Sequence, residues 1–109
     1  MSDHRKVERR SLRYHEAIAR RLLDDPAIVQ RARERVEGWL QSGAVAPFYA
    51  QGWQKVLDLS TTELCSFLTD TSERSTAFRQ VSPFAGALTP QERWRLWSLP
   101  DGEHDAAAT

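Results

Sequence analysis

Residues 11–43 read SLRYHEAIARRLLDDPAIVQRARERVEGWLQSG, and the fold turns on how this stretch is divided. At ~100° per residue, Leu12, His15, Ile18, Ala19, Leu22 and Leu23 share one face, with Lys6, Arg9, Arg13 and Arg20 opposite. That spacing predicts a helix starting at Val7 or Ser11 and ending at Asp24. Asp24-Asp25-Pro26 stops it, because the residue before a proline avoids the α region. Pro26 then suits the first position of a second helix, with Asp25 as its N-cap. Ile28, Val29, Ala32, Val36, Trp39 and Leu40 form the apolar arc of that helix, and Arg33–Glu37 pair at i, i+4. Gly43 stands where a left-handed C′ residue is wanted. So short a break between two amphipathic helices predicts an antiparallel helical hairpin.

Downstream the same logic repeats. Pro47 opens a third helix whose inward residues are Phe48, Tyr49, Gly52, Trp53, Val56 and Leu57. A mid-helix glycine such as Gly52 costs about 1 kcal/mol against alanine, so a neighbour is expected to approach it closely. Ser60-Thr61-Thr62-Glu63 is a capping box for a fourth helix carrying Leu64, Phe67 and Leu68. Asp70-Thr71-Ser72-Glu73 repeats the pattern for a fifth, reaching Val81 or Ser82. The link SPFAGAL (82–88) is too rich in small residues and turn formers to continue it. Thr89-Pro90-Gln91-Glu92 starts a short last helix with Trp94, Leu96 and Trp97. No period-2 alternation and no hairpin turn signal occurs. The expectation is an all-α fold, a compact, mostly antiparallel bundle of five to six short amphipathic helices, with no internal repeat. Its organisation is a flexible arm over residues 1–10, one helical domain over 11–99 and a disordered tail over 100–109.

Composition narrows the function. A chain of 109 residues with 40% hydrophobic content fits a single domain. Fifteen Lys/Arg balance fifteen Asp/Glu, so no global field gathers nucleic acid or anionic membrane. The balance is uneven: residues 1–40 hold ten basic against seven acidic side chains, and 41–109 hold five against eight. One cysteine, Cys65, excludes an internal disulfide. No apolar run approaches the ~20 residues of a membrane span, and the N-terminus lacks the apolar stretch of a secretory signal. The expectation is a cytoplasmic protein with no membrane partner.

No constellation for catalysis emerges. Cys65 lies about five residues past its N-cap with Glu63 as its nearest charge, so it reads as an inert core thiol. His4, His15 and His104 are scattered, without metal-ligand spacing. His15, in mid-stripe, reads as a half-buried residue with one hydrogen bond; at an interface it would make binding pH-dependent. There is no glycine-rich phosphate loop and no GxSxG turn. The reading is a chain with no catalytic, cofactor-binding or metal residues, and not an enzyme.

Recognition is what remains. Arg9, Arg13 and Arg20 fall within ~40° on a helical wheel, interrupted by Glu8 and Glu16, and read as a solvated face, a protein-partner patch or a phosphate-contacting row. Phe84 and Leu88 in the 82–88 link either plug the protein's own core or present an aromatic anchor. Segment 59–81 has the rhythm of a DNA-binding helix-turn-helix, whose reading helix would present Arg74, Thr76 and Arg79. Thr69 and Asp70 depart from that pattern in the turn, and Glu73 lies on the reading helix.

RSLRYHEAIARRLLDDP (Arg10–Pro26), RARERVEGWL (Arg31–Leu40) and SERSTAFRQVSPFAGALTPQERWRLW (Ser72–Trp97) together resemble a group of small bacterial proteins. Such proteins are often encoded as the first member of a two-gene module. The resemblance spans about residues 10–97 and implies an antitoxin-like component of a toxin–antitoxin pair, neutralising a partner protein without any cofactor. The expected partner is therefore a protein, such as a cognate toxin, met by Arg9, Arg13, Arg20, Phe84, Arg93 and Trp97. The rival reading is a helix-turn-helix transcriptional regulator, autoregulatory if both hold. Whether a second copy of the chain also binds stays open.

Overall fold

A computed structural model describes residues 2–98, with side chains from residue 6 onward. The expected tail over 100–109 and the side chains of His4 and His104 lie outside the described residues. Six helices follow one another: α1 (Ser2–Arg21), α2 (Ala27–Ser42), α3 (Pro47–Leu57), α4 (Thr61–Thr69), α5 (Glu73–Arg79) and α6 (Pro90–Trp97). Among the described residues there is no strand, and the fold is a small all-α bundle.

Local chemistry sets most helix ends. Ser60 accepts from the Glu63 amide while the Glu63 carboxylate returns to the Ser60 amide, and Thr89 and Glu92 repeat this at α6. Gly43, at φ 73°, closes α2 with its N–H on the Trp39 carbonyl. Several boundaries differ from expectation. From Ser2 onward, where an arm was expected, the chain is already α1. Asp25 does not cap α2 with its side chain; its carbonyl instead accepts from the Ile28 amide, and Pro26 holds the cap position in α conformation. The cap of α5 is Ser72, which accepts from the Ser75 amide, while Asp70 serves the turn by accepting from the Ser72 amide. The fifth helix stops at Arg79, short of Val81.

The expected α1–α2 hairpin is not the main packing. α2 pairs with α3, whereas α1 lies against α4, α5 and α6. The core takes Ile18 from α1 and Leu22 just past its end, Ile28, Ala32 and Val36 from α2, and Trp53, Val56 and Leu57 from α3. Leu64, Leu68 and Phe78 complete it with Phe84 and Leu88 of the link. Trp53 is its centre, meeting Phe67, Phe78 and Phe84 edge-on with centroids 5.7–5.9 Å apart. Leu23 and Phe48, expected inside, are exposed, at 80% and 68%. Leu23 falls where α1 has already unwound, and the Phe48 ring stays outside, against Tyr49 and Phe78.

Gly52 earns its place through Phe78. A Cβ there would sit 2.5 Å from two atoms of that buried ring. Gly38 on α2 faces open space. Gly52→Ala should therefore destabilise the fold by roughly 1–3 kcal/mol through overpacking, despite alanine's better helix propensity. Gly38→Ala should stabilise by about 0.5–1 kcal/mol. Urea denaturation of both variants checks the pair; equal shifts would contradict the close α3–α5 approach.

Candidate functional site

The link between α5 and α6 positions everything that follows. Gly86, at φ 83°, turns it, while Pro83, Phe84 and Leu88 are buried. Two residues of α1 hold it down. The Tyr14 hydroxyl donates to the Phe84 carbonyl at 2.7 Å. His15 lies with Nδ1 2.7 Å from the Ser11 carbonyl and Nε2 2.7 Å from the Ser82 hydroxyl. A carbonyl can only accept, so Nδ1 carries the proton and Nε2 accepts from Ser82. The Ser82 oxygen in turn accepts from the Phe84 amide at 3.1 Å. Histidine thus makes two hydrogen bonds in full burial, where one bond and half-burial were expected. Burial holds its pKa down at about 4, against the opposing pull of the Ser11 hydrogen bond, and the Arg79 charge adds to the lowering.

α6, delivered by this link, has no buried residue. It lies along a stripe of α1 in which Arg10, Arg13, Ala17, Arg20 and Arg21 recur at helical spacing. The joint is made largely by guanidinium groups. Arg13 donates to the Leu96 carbonyl at 3.5 Å, Arg21 pairs with Glu92, and Arg10 sits 5.7 Å over the Trp97 ring. Arg93 covers the same indole at 6.0 Å. Trp94 points away from this joint and is 72% exposed.

Those contacts redistribute the sequence candidates. Arg9 and Arg20 are exposed on α1, but Arg13, expected beside them on a solvated row, is buried beneath α6. Phe84, offered as an anchor for a partner, is 1% exposed and packs edge-on against Trp53 and His15. It plugs the core, because the link's backbone is tied to α1 on both sides of it. Trp97 is partly exposed and Arg93 half-buried, both on α6. Of the DNA candidates, Arg79 is buried and donates to the Leu68 and Asp70 carbonyls, closing the end of α4. Thr76 accepts from the same guanidinium, and Arg74 lies over the Phe67 and Phe78 rings. The helix that carries these three residues, α5, is seven residues long.

The sequence reading missed two participants, Tyr14 and Ser82. The arginine stripe was visible as a period in α1, yet nothing in the pattern told that α6 would lie on it. A cleft of about 430 Å³ opens between the two helices, lined by Ala17, Arg20, Arg21, Leu88, Glu92, Arg95 and Leu96. Elsewhere, the Cys65 thiol donates to the Ala19 carbonyl at 3.4 Å, and burial pushes its pKa up, which suppresses thiolate. Among the described residues no three His, Cys, Asp or Glu side chains are grouped to hold a metal ion, and no helix is long and apolar enough to cross a membrane. Comparison with family models, with curated proteins and with solved structures finds no match.

The buried imidazole ties stability to acidity. Its pKa of about 4 in the fold lies below the 6.5 of a free histidine, so the unfolded chain takes the proton first as pH falls. Its contribution is complete above pH 6.5 and is lost progressively toward pH 4, on the order of 3 kcal/mol over the window. His15→Gln should be less stable at neutral pH but flatter between pH 7 and 5. Denaturation midpoints across that range check it, and parallel slopes for the two proteins would refute the assignment.

Proposed function

We propose that this chain is a non-catalytic protein-binding module that meets its partner through the face built by α1 and α6. One observation carries the reading: α6 is docked by Leu96 and by polar and cation–π contacts, buries no residue fully, and turns Trp94 outward at 72% exposure. A large, rigid indole beside arginines is the side-chain chemistry that concentrates binding energy at protein interfaces. Of the residues named from sequence, Arg9, Arg20, Arg93 and Trp97 remain at or near the surface, with Trp94 now added to them.

The finer reading is an antitoxin-like half of a two-gene module, which neutralises a partner enzyme by covering its active site. The resemblance over Arg10–Pro26, Arg31–Leu40 and Ser72–Trp97 supports it. Steric blockade needs a surface and no cofactor, in keeping with this assignment. DNA binding through α4 and α5 has less support, because Arg79 and Arg74 are engaged in holding the protein's own helices and rings.

Co-expression with the product of the adjacent gene tests the proposal. A one-to-one complex by size exclusion is the expected outcome. Trp94→Ser should weaken it at least tenfold while leaving the denaturation midpoint nearly unchanged, since the side chain is exposed. A complex indifferent to Trp94, or steeply salt-dependent binding to the chain's own promoter in place of any protein, would count against it.

A further inference from the structure

Resting on that protein-binding reading, the geometry points to the chemistry of what enters the cleft between α1 and α6. We infer that it receives an acidic segment of the partner protein, with an aliphatic side chain set on the floor and carboxylates at the rim. Ala17, Leu88 and Leu96 supply the apolar surface, and Arg20, Arg21 and Arg95 surround it. Glu92 is the one carboxylate in the lining, and both of its oxygens are engaged. Oε1 accepts from the Thr89 amide at 2.8 Å, and Oε2 pairs with Arg21. Arg20 and Arg95 have no hydrogen bond or ion pair among the described residues.

Two unanswered guanidinium groups beside an apolar floor are notable in a chain whose formal charge is zero. Opposite charge at a partner's edge would steer the encounter and fix its register, while the aliphatic contact adds affinity by burial. A volume of about 430 Å³ accommodates a few side chains. A nucleic-acid backbone would meet the two arginines but leave Leu88 and Leu96 without a counterpart, so the apolar floor favours a polypeptide.

The probe is a fluorescein-labelled peptide of about a dozen residues alternating glutamate pairs with leucine pairs, titrated with the full chain and read by anisotropy. Twin peptides carry glutamine or lysine in place of glutamate. Saturable binding of the acidic peptide is expected, falling at least tenfold in the double variant Arg20→Glu, Arg95→Glu. Both side chains are exposed, and a retained helical spectrum and denaturation midpoint verify the fold. The lysine twin should bind the reversed protein better than the original. Equal binding of the glutamine twin would overturn the inference, as would displacement of the peptide by decanoate at lower concentration than by unlabelled peptide. Absence of peptide binding together with a Trp94-dependent partner complex overturns this inference alone. Absence of both overturns the protein-binding reading with it.

Discussion

The seating of Phe84 against Trp53 constrains more of this molecule than any other contact. The ring is delivered by a non-helical link, and its backbone is fastened by the Tyr14 hydroxyl on one side and by the Ser82–His15 pair on the other. The Phe84 carbonyl is satisfied by Tyr14 and the Phe84 amide by Ser82, which lowers the cost of burying this stretch of the link. The same fastening determines where α6 emerges. A change in the Tyr14–His15–Ser82 arrangement would therefore move the surface as well as the core.

Arginine does structural work of two kinds here. Arg79 closes the C-terminal end of α4 from inside the fold, and Arg13 reaches a carbonyl of α6. Its planar, persistently charged group can donate in several directions while its stem fills apolar space, which suits a joint between a core helix and a peripheral one. The consequence is a helix held on by polar contacts and Leu96, with the Trp97 indole in the joint and the Trp94 indole outside it. That division leaves Trp94 free of the core and exposed on α6.

Much of the architecture could be read from local pattern. The capping boxes at Ser60 and Thr89, the stop at Gly43 and the proline starts at Pro47 and Pro90 all follow from chemistry within a few residues of each position, and a mid-helix glycine at 52 signalled a close neighbour without telling which. The misreadings share one cause. Leu23 and Phe48 were placed by period alone, although one sits past a helix end and the other beyond the core's edge. Asp25 and Asp70 have the right chemistry for N-caps, but Asp25 engages the start of α2 through its carbonyl and α5 begins only after Ser72.

Helix content, helix order and the all-α class were determined by the sequence itself, since propensity, caps and apolar period act over a single turn or two. The pairing of those helices was decided only in three dimensions. Nothing local distinguishes an α1–α2 hairpin from the α2–α3 and α1–α4 pairs that form, nor tells an arginine facing water from one beneath another helix. Phe84 as plug, Arg13 as joint and the cleft between α1 and α6 each depend on residues some seventy or more positions apart. Side-chain chemistry sets what each residue can offer, and the burial of the whole chain determines which offers face outward.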